Sequence, residues 1–251
     1  MAILLKNASE LDKMYRAGQL LCEVLDTVEA LVVPGVTTKD LDDRAEALLV
    51  ERGAVAAFKG YEGFPSVLCT SVNEAVVHGI PSSEVVLSEG DVVSIDCGLV
   101  LDGFFADSAR TVSVGVVNAE VTRLLDVTKS ALIKGIARCK SGGRVGNIGA
   151  AIQREVEAEG LSVVRDYSGH GIGRSLHEEP SVPNYGKAGR GMKLMPGLVL
   201  AIEPMVNLGE DGCELLDDDW TVVTADRSVS AHFEHTVAIT SKGPWVLTQR
   251  T

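Results

Sequence analysis

The sequence is poor in cysteine, and its few cysteines stand far apart. Only five occur in 251 residues, at Cys22, Cys69, Cys97, Cys139 and Cys213. No two of them form a Cys-x-x-Cys pair, and their number is odd. This pattern argues against both a disulfide framework and a thiolate zinc site. We expect most of these thiols to be reduced core residues.

Basic charge and long apolar runs are also scarce. The chain has 23 Lys and Arg against 35 Asp and Glu, a net charge of −12. Such a surface is unsuited to phosphates or anionic lipid, so we expect neither nucleic acid nor membrane as a partner. No apolar run reaches the roughly 18 residues of a membrane span. Charged residues from Lys6 to Arg16 leave no apolar segment for a signal peptide, which predicts a cytoplasmic protein.

Several common enzyme motifs are missing. There is no Gly-x-Ser-x-Gly elbow, and the single Gly-Lys pair, at Gly186, is followed by Ala188 and forms no phosphate loop. The segment from His177 begins like a zincin helix but lacks the second histidine, and Pro180 would break that helix. These absences argue against serine-hydrolase, nucleotide-binding and zincin functions.

What is present indicates a repeated α+β plan. The chain is 45% hydrophobic, enough for a large core. Helical spacing of apolar residues covers 8–32, 118–139 and 147–159, and a further helix is predicted from an N-cap at Thr38 to Gly53. Strand and turn patterns fill 54–114 and 161–247.

One constant offset relates landmarks in the two parts of the chain. The shift that takes Gly35 to Gly142 also takes Gly53 to Gly160, Gly90 to Gly197 and Asp96 to Glu203. This offset predicts a single domain, 1–251, made of two pseudo-symmetric halves at about 8–115 and 116–248. A functional site is expected between the halves.

Two aspartates are predicted to share one face of a hairpin. Asp96 lies inside an alternating strand pattern, and Asp102-Gly103 is a strong signal for a two-residue hairpin turn. In that register residue 96 faces Ala109, and Asp107 is a diagonal neighbour of Asp96, about 7–8 Å away. Two such acids would repel each other unless a cation lay between them. The alternative is an exposed aspartate on an edge strand.

The second half supplies further acids and histidines. Glu203 ends a buried-strand run and Glu234 follows Phe233, so both carboxylates should be paired or metal-bound. His235 is predicted to be a core histidine, and His232 is equally compatible with an exposed rim position.

Two other histidines have glycine neighbours. His170 and His78 both stand next to glycines, which leave room for a substrate or ion, although those glycines could equally serve only turns. The acidic segments 210–211 and 217–219 are predicted to form a solvent-exposed loop.

Seven short motifs together resemble the type I methionine aminopeptidases. They occur in order over nearly the whole chain: VHGIP at 77–81, SID at 94–96, GFFAD at 103–107, SGHGIG at 168–173, HEEP at 177–180, AIEPM at 201–205 and FEHT at 233–236. The resemblance implies the pita-bread fold, in which two αβ halves surround a curved antiparallel sheet. It also implies removal of the N-terminal methionine from nascent polypeptides whose second residue is small.

The resemblance implies a dinuclear metal site at Asp96, Asp107, His170, Glu203 and Glu234. In that family the equivalents of Asp107 and Glu234 bridge two ions, and a metal-bridging hydroxide is the nucleophile. This oxygen-rich ligand set is compatible with Mn, Fe(II) or Co. Glu203 would also pass a proton to the leaving amine, while His78 contacts the scissile amide and His177 stabilises the oxyanion.

The methionine pocket implied by the resemblance is lined by Tyr61, Phe64, Cys69, Leu176 and Trp220, with His78 and His177 beside them. Phe64 and Leu176 stand where some members have a tyrosine and a phenylalanine. We expect a monomer, and transient ribosome association is left open.

Two other functions compete with this one. Prolidases and Xaa-Pro aminopeptidases use the same five-ligand plan but usually carry a large N-terminal domain, whereas here the first helix is predicted within about ten residues of Met1. A non-catalytic binding protein would have lost its ligands, and here all five ligand positions are filled.

Overall fold

The computed structural model describes residues 3–250. Within this range the four α-helices are α1 (Ala8–Glu29), α2 (Thr38–Glu51), α3 (Ala119–Ile136) and α4 (Val145–Ala158), and a 3₁₀ turn covers Tyr61–Gly63. The strands of the first half are β1 (Val55–Ala56), β2 (Leu68–Val72), β3 (Ala75–Val77), β4 (Val92–Leu101) and β5 (Phe104–Ser113). Those of the second half are β6 (Ser162–Val163), β7 (Ser168–Gly171), β8 (Glu178–Pro183), β9 (Val199–Ile202), β10 (Met205–Asn207), β11 (Cys213–Leu215), β12 (Val222–Thr224), β13 (Ser230–His232), β14 (His235–Thr240) and β15 (Gly243–Val246).

Local hydrogen bonds determine where the helices begin. The N-cap of α2 is Thr37, so the prediction of Thr38 was wrong by one residue. The Thr37 hydroxyl accepts from the Asp40 N–H at 3.1 Å, and the Asp40 carboxylate accepts from the Thr37 N–H at 2.9 Å. This capping box requires the acid three residues after the cap. The Thr38 hydroxyl donates instead to the Ser82 carbonyl at 3.1 Å.

The other helices differ from their predicted bounds only at the ends. α1 ends at Glu29 and α3 at Ile136, each three residues early, and α4 begins at Val145, two residues early.

The offset found in the sequence recurs in the structure. The shift that takes Gly35 to Gly142 also takes both ends of α2 onto those of α4, and β1 onto β6. The turns before α2 and α4 use glycines with positive φ, 94° at Gly35 and 84° at Gly142, a conformation that glycine adopts without strain. These N–H groups donate to Leu87 and Leu194 at 2.8 and 2.9 Å, two residues that the same shift relates. The fold is thus two pseudo-symmetric αβ halves.

Each half has its own helix-on-sheet core. In the first half, α1 and α2 pack on the sheet ordered β1-β4-β2, with β5 paired to β4. In the second half, α3 and α4 pack against a core that includes strands of the five-stranded sheet β15-β14-β9-β7-β8. All strand pairs are antiparallel, and hydrogen bonding divides them into four sheets rather than one continuous sheet. A third apolar cluster, with Met14, Phe64 and Ile172, draws on both halves.

Strand β5 joins the halves through hydrogen bonds to the segment around β13 and β14. The Thr236 hydroxyl accepts from the Asp107 N–H at 3.0 Å and donates to the Asp107 carbonyl at 2.7 Å. The Glu234 N–H donates to the Ala109 carbonyl at 2.9 Å, and the Ser108 hydroxyl donates to the Glu234 carbonyl at 2.7 Å. These bonds hold the backbone of Asp107 and that of Glu234 side by side across the junction.

The cysteines are free thiols, as predicted. Cys22, Cys69, Cys97 and Cys139 are buried, and Cys213 is half-buried. Among the helices of residues 3–250, none has the length and apolarity needed to span a bilayer.

Candidate active site

A cavity of about 210 Å³ takes its walls from both halves of the chain. Every site residue predicted from the sequence lines it. The predicted metal ligands are Asp96, Asp107, His170, Glu203 and Glu234, and the predicted catalytic and pocket residues are Tyr61, Phe64, Cys69, His78, Leu176, His177 and Trp220. The remaining lining residues were not predicted from the sequence; they are Phe58, Glu62, Val77, Tyr167, Ser168 and Met205.

The β4–β5 hairpin places two aspartates in the cavity wall, in the predicted register. Asp96 pairs with Ala109, and Gly98 pairs with Asp107, so the two acids are diagonal neighbours on one face. Asp102 and Gly103 form the turn with φ of 51° and 77°. Strand β4 also pairs with β1 and β2, and Asp107 is only 4% exposed. The alternative of an exposed aspartate on an edge strand is therefore wrong.

The second half brings its groups to the same place. Glu234 stands between β13 and β14 and is 2% exposed. The Nδ1 atom of His170 lies 2.9 Å from the Gly171 carbonyl oxygen, which accepts from it. This bond leaves Nε2 of His170 free to ligate a metal, and Nε2 lies 3.5 Å from Oε1 of Glu203. One ligand atom each from Asp107, His170 and Glu234 lies within 4.8 Å of the others.

The buried acids lack partners for their charge. Burial raises the pKa of Asp96, Asp107 and Glu234, and the charges of the neighbouring carboxylates raise those of Asp107 and Glu234 further. Oδ1 of Asp96, Oδ1 of Asp107 and Oε1 of Glu234 are buried without a hydrogen-bond partner. Oxygen-rich donors with one imidazole are suited to a divalent cation, which would supply the missing partner. The group therefore fits a metal centre. Asp107, His170 and Glu234 form its tightest cluster, with Asp96 and Glu203 in the same wall.

The sequence left the position of His232 open, and in the structure this residue lies beside Glu203. It is 2% exposed, so the rim interpretation is wrong. Its Nε2 lies 3.7 Å from Oε2 of Glu203 and has no hydrogen-bond partner. A usable signal was present, because residues two apart in an extended segment share a face, and His232 stands two before Glu234. His235, in contrast, is half-buried and does not line the cavity. Its Nδ1 lies 3.0 Å from the Thr248 hydroxyl oxygen, so the predicted hydrogen bond is present but the residue is not fully in the core.

Aromatic rings form much of the remaining wall. The rings of Phe64 and Trp220 meet edge to face at 5.0 Å between centroids. His78 lies with its ring centroid 5.7 Å from that of Tyr167 and 6.3 Å from that of Trp220. Its backbone has φ of 60°, rare for a residue other than glycine, and burial lowers its pKa. The Gly79 carbonyl accepts from the Thr70 N–H at 2.8 Å, which holds this segment against β2.

His177 contacts both the acidic group and the aromatic wall. Its ring centroid lies 4.3 Å from that of His170. Its Nδ1 lies 2.7 Å from the hydroxyl oxygen of Tyr61. Burial, followed by the nearby His170, lowers the pKa of His177 to about 4, so the ring is neutral near pH 7.

The acidic residues of 210–211 and 217–219 are exposed, as predicted.

Known proteins resemble this chain over nearly its full length. The model of metallopeptidase family M24 matches residues 12–241. A methionine aminopeptidase of Clostridium perfringens is 52% identical over 246 residues, covering 98% of each chain. The crystal structure of a methionine aminopeptidase from Thermotoga maritima superposes with a TM-score of 0.97 at 44% identity, covering 99% of this chain and 100% of that one.

A more distant structure shares the fold alone. A Xaa-Pro dipeptidase of Bacillus anthracis has a TM-score of 0.78 at 22% identity and covers 99% of this chain but 62% of its own. The family model and the close relatives together decide the classification. The chain belongs to metallopeptidase family M24 and, within it, to the methionine aminopeptidases.

Proposed function

We propose that this chain removes the N-terminal methionine from polypeptides whose second residue is small, by hydrolysing the first peptide bond. The observation that supports this most strongly is the make-up of one cavity. It combines five carboxylates and three imidazoles with aromatic and aliphatic walls. The charged groups can serve hydrolysis, and the apolar walls can hold an unbranched thioether side chain.

We propose that Asp96, Asp107, His170, Glu203 and Glu234 hold two divalent cations, with Asp107 and Glu234 shared between them. Four carboxylates and one imidazole favour Mn, Fe(II) or Co. When bound, such cations polarise the scissile carbonyl and acidify water. Their charge would also offset the repulsion among acids whose pKa values burial raises.

Three side chains are assigned to the reaction itself. Glu203 would take the proton from the attacking water and deliver it to the leaving amine. Its side chain lies between two imidazoles, with oxygens 3.5 Å from His170 and 3.7 Å from His232. His78 would contact the scissile amide, and His177 would donate to the carbonyl oxygen as negative charge develops there.

The apolar walls would select methionine. Phe64 and Leu176 are each 3% exposed, and the edge-to-face contact of Phe64 with Trp220 fixes the shape of that wall. Tyr61 and Cys69 complete the pocket. With the methionine enclosed and the first peptide bond at the carboxylates, the second side chain would lie at the mouth, where a small residue is accommodated best.

The proposed substrates are the N-termini of nascent polypeptides. We propose that the enzyme acts on them as a monomer in the cytoplasm. Size-exclusion chromatography with light scattering tests the monomer, and co-sedimentation with ribosomes tests whether the enzyme associates transiently with them.

Activity on a peptide series tests the proposed function. Peptides beginning Met-Ala, Met-Gly and Met-Ser are expected to be cleaved with Mn, Fe(II) or Co, and those beginning Met-Lys, Met-Leu or Met-Phe only slowly. An N-formylated peptide is expected to be inert. The Glu203→Gln variant should lose turnover, whereas Glu210→Gln in the exposed loop should retain it. Preference for proline at the second position, or efficient removal of Leu or Phe, would favour a proline-directed or broad aminopeptidase. Failure to take up any divalent ion under reducing conditions would favour a binding protein.

A further inference from the structure

A hydrogen bond joins Tyr61 and His177, which both line the cavity. The Tyr61 hydroxyl oxygen lies 2.7 Å from Nδ1 of His177, and the two ring centroids are 5.3 Å apart. Tyr61 belongs to the first half of the chain and His177 to the second, directly before β8. The bond therefore orients the ring of His177 from the other half of the chain.

The turn that carries Tyr61 is itself held by backbone bonds. The Tyr61 N–H donates to the Phe58 carbonyl and the Phe64 N–H donates to the Tyr61 carbonyl, both at 2.9 Å. Gly60 begins the turn with φ of 87° and donates to the Phe64 carbonyl at 2.8 Å. These bonds fix the backbone from which the phenol reaches His177.

Chemistry decides which partner donates. A phenol is a stronger acid than a neutral imidazole N–H, and an imidazole nitrogen is a better acceptor than a phenolic oxygen. Burial raises the pKa of Tyr61, which keeps its hydroxyl protonated. The Tyr61 hydroxyl therefore donates and Nδ1 accepts. In a neutral imidazole the hydrogen must then be on Nε2.

We propose that Tyr61 is a positioning residue whose hydroxyl bond to Nδ1 fixes His177 as the tautomer with hydrogen on Nε2. That nitrogen is the one left to face a substrate. The inference rests on the proposed function, in which a carbonyl oxygen must accept from His177. The opposite tautomer would present a lone pair to that oxygen and repel it.

This role differs from that of a pocket wall. A wall needs the aromatic ring of Tyr61, whereas the tautomer needs its oxygen. The Tyr61→Phe variant keeps the ring and removes the hydroxyl, so it separates the two roles. Tyr185→Phe is a matched control, because Tyr185 does not line the cavity and its ring lies 5.3 Å from the guanidinium of Arg165.

Nitrogen NMR measures the tautomer directly. The full chain, labelled with ¹⁵N-histidine and loaded with diamagnetic Zn²⁺, contains only five histidines. His177→Ala identifies the His177 signals. Two-bond ¹H–¹⁵N correlations are expected to show hydrogen on Nε2 in the unmodified protein and in Tyr185→Phe. In Tyr61→Phe the two nitrogen shifts should move toward each other as both tautomers become populated. Hydrogen on Nδ1 in the unmodified protein, or unchanged His177 shifts in Tyr61→Phe, would overturn the proposal.

Kinetics on a Met-Ala peptide supply the second readout. Removal of a group that orients an active imidazole costs about 10- to 100-fold, and we expect that loss in kcat with little change in KM. Tyr185→Phe should leave both constants unchanged. A shifted tautomer with unchanged kcat would contradict the positioning role. The NMR measurement of the tautomer needs no substrate, so the two proposals can fail separately. If His177 carries its hydrogen on Nε2 but the protein cleaves no methionine peptide, the proposed function is wrong and the tautomer assignment still holds.

Discussion

Asp107 and Glu234 carry carboxyl groups whose ionised form cannot be stabilised by their surroundings without a cation. Each is almost fully buried, and each has one carboxylate oxygen without a partner. Charge repulsion from neighbouring acids adds to the cost of burial. Removal of one of these carboxylates should therefore weaken metal binding but should not lower the stability of the metal-free protein.

Asp107→Asn or Glu234→Gln should abolish stoichiometric metal binding and turnover, because a neutral amide is a poor shared ligand. The metal-free variant should be at least as stable as the metal-free parent, since one of the repelling charges is gone. Metal content after dialysis and thermal unfolding measure the two effects. Asp102→Asn is the control, because it makes the same change at the exposed end of the same hairpin. Full metal occupancy in Asp107→Asn would show that its assignment as a ligand is wrong.

His78 and His177 should behave differently from the ligands. Alanine at either is expected to lower kcat, by roughly 10²–10³ where a contact to the developing oxyanion is lost. Metal content should stay at the level of the parent, because these rings are assigned to the substrate. Metal analysis beside steady-state kinetics checks this, and loss of metal would place that histidine among the ligands.

Among the secondary-structure elements, strand β5 is hydrogen-bonded to the segment around β14, and these bonds hold the backbone of Asp107 in place. The Thr236 hydroxyl makes two hydrogen bonds to the backbone of Asp107, at 3.0 and 2.7 Å, and so links strands of the two halves. Side chains that hold a ligand in place in this way usually tune metal affinity.

Thr236→Val keeps the shape of the side chain and removes both bonds. We expect metal affinity to fall by about 10- to 100-fold. Thr240→Val lies on the same strand and removes a bond to the Gly243 carbonyl at 2.7 Å, outside the cavity wall. Calorimetric metal titration of the two variants is the measurement. Equal affinities would mean that the backbone of Asp107 needs no such support.

Helix α4 lies close to the chain around the end of β8. A Cβ on Gly149 would lie 2.4 Å from the carbonyl oxygens of Pro183 and Tyr185, which are backbone atoms and cannot turn aside. Gly149→Ala should therefore destabilise the protein by roughly 1–3 kcal/mol, the usual cost of overpacking. A Cβ on Gly135 in α3 would meet only side-chain atoms of Ile152 and Ile148, so Gly135→Ala should cost less. Denaturant unfolding of both variants checks the order, and a reversed order would contradict it.

For the whole molecule, the shifted pKa values of three acids and three histidines give metal-free stability a dependence on pH. The carboxyl pKa values are raised by folding, with that of Asp96 at about 7, so the folded state binds more protons than the unfolded state. Their contribution is present at low pH and is lost as pH rises. The pKa of each of His78, His177 and His235 is lowered by burial, so their contribution is lost as pH falls below about 6.5.

Above pH 6.5 fewer than half of these histidines carry a proton in the unfolded state, so their effect fades and that of the acids dominates. Metal-free protein should therefore lose stability from pH 6.5 to 8, and Asp107→Asn should reduce that slope by up to about 1.4 kcal/mol per pH unit. Metal-loaded protein should show little slope, because its ligands are ionised throughout. Thermal unfolding in chelator and in metal gives the comparison. A metal-free stability that rises from pH 6.5 to 8 would show that the acids do not bind protons on folding.

Features that depend on near neighbours along the chain could be predicted from the sequence alone. The Asp102-Gly103 turn and the alternation of β4 set the hairpin register, and that register alone made Asp96 and Asp107 diagonal neighbours. Glycines related by one constant offset, such as Gly35 and Gly142, likewise marked turns of equal geometry in the two halves. These features rest on backbone conformations and periods that are properties of short segments.

The contacts between the two halves could be identified only once the chain was folded. The Glu234 N–H reaches Ala109 in the other half of the chain, and the hydroxyl of Tyr61 likewise reaches His177. His232 was compatible with an exposed rim until the fold enclosed it beside Glu203. No local pattern encodes such contacts, because they form only when surfaces far apart in the sequence pack against each other and exclude water from the groups between them.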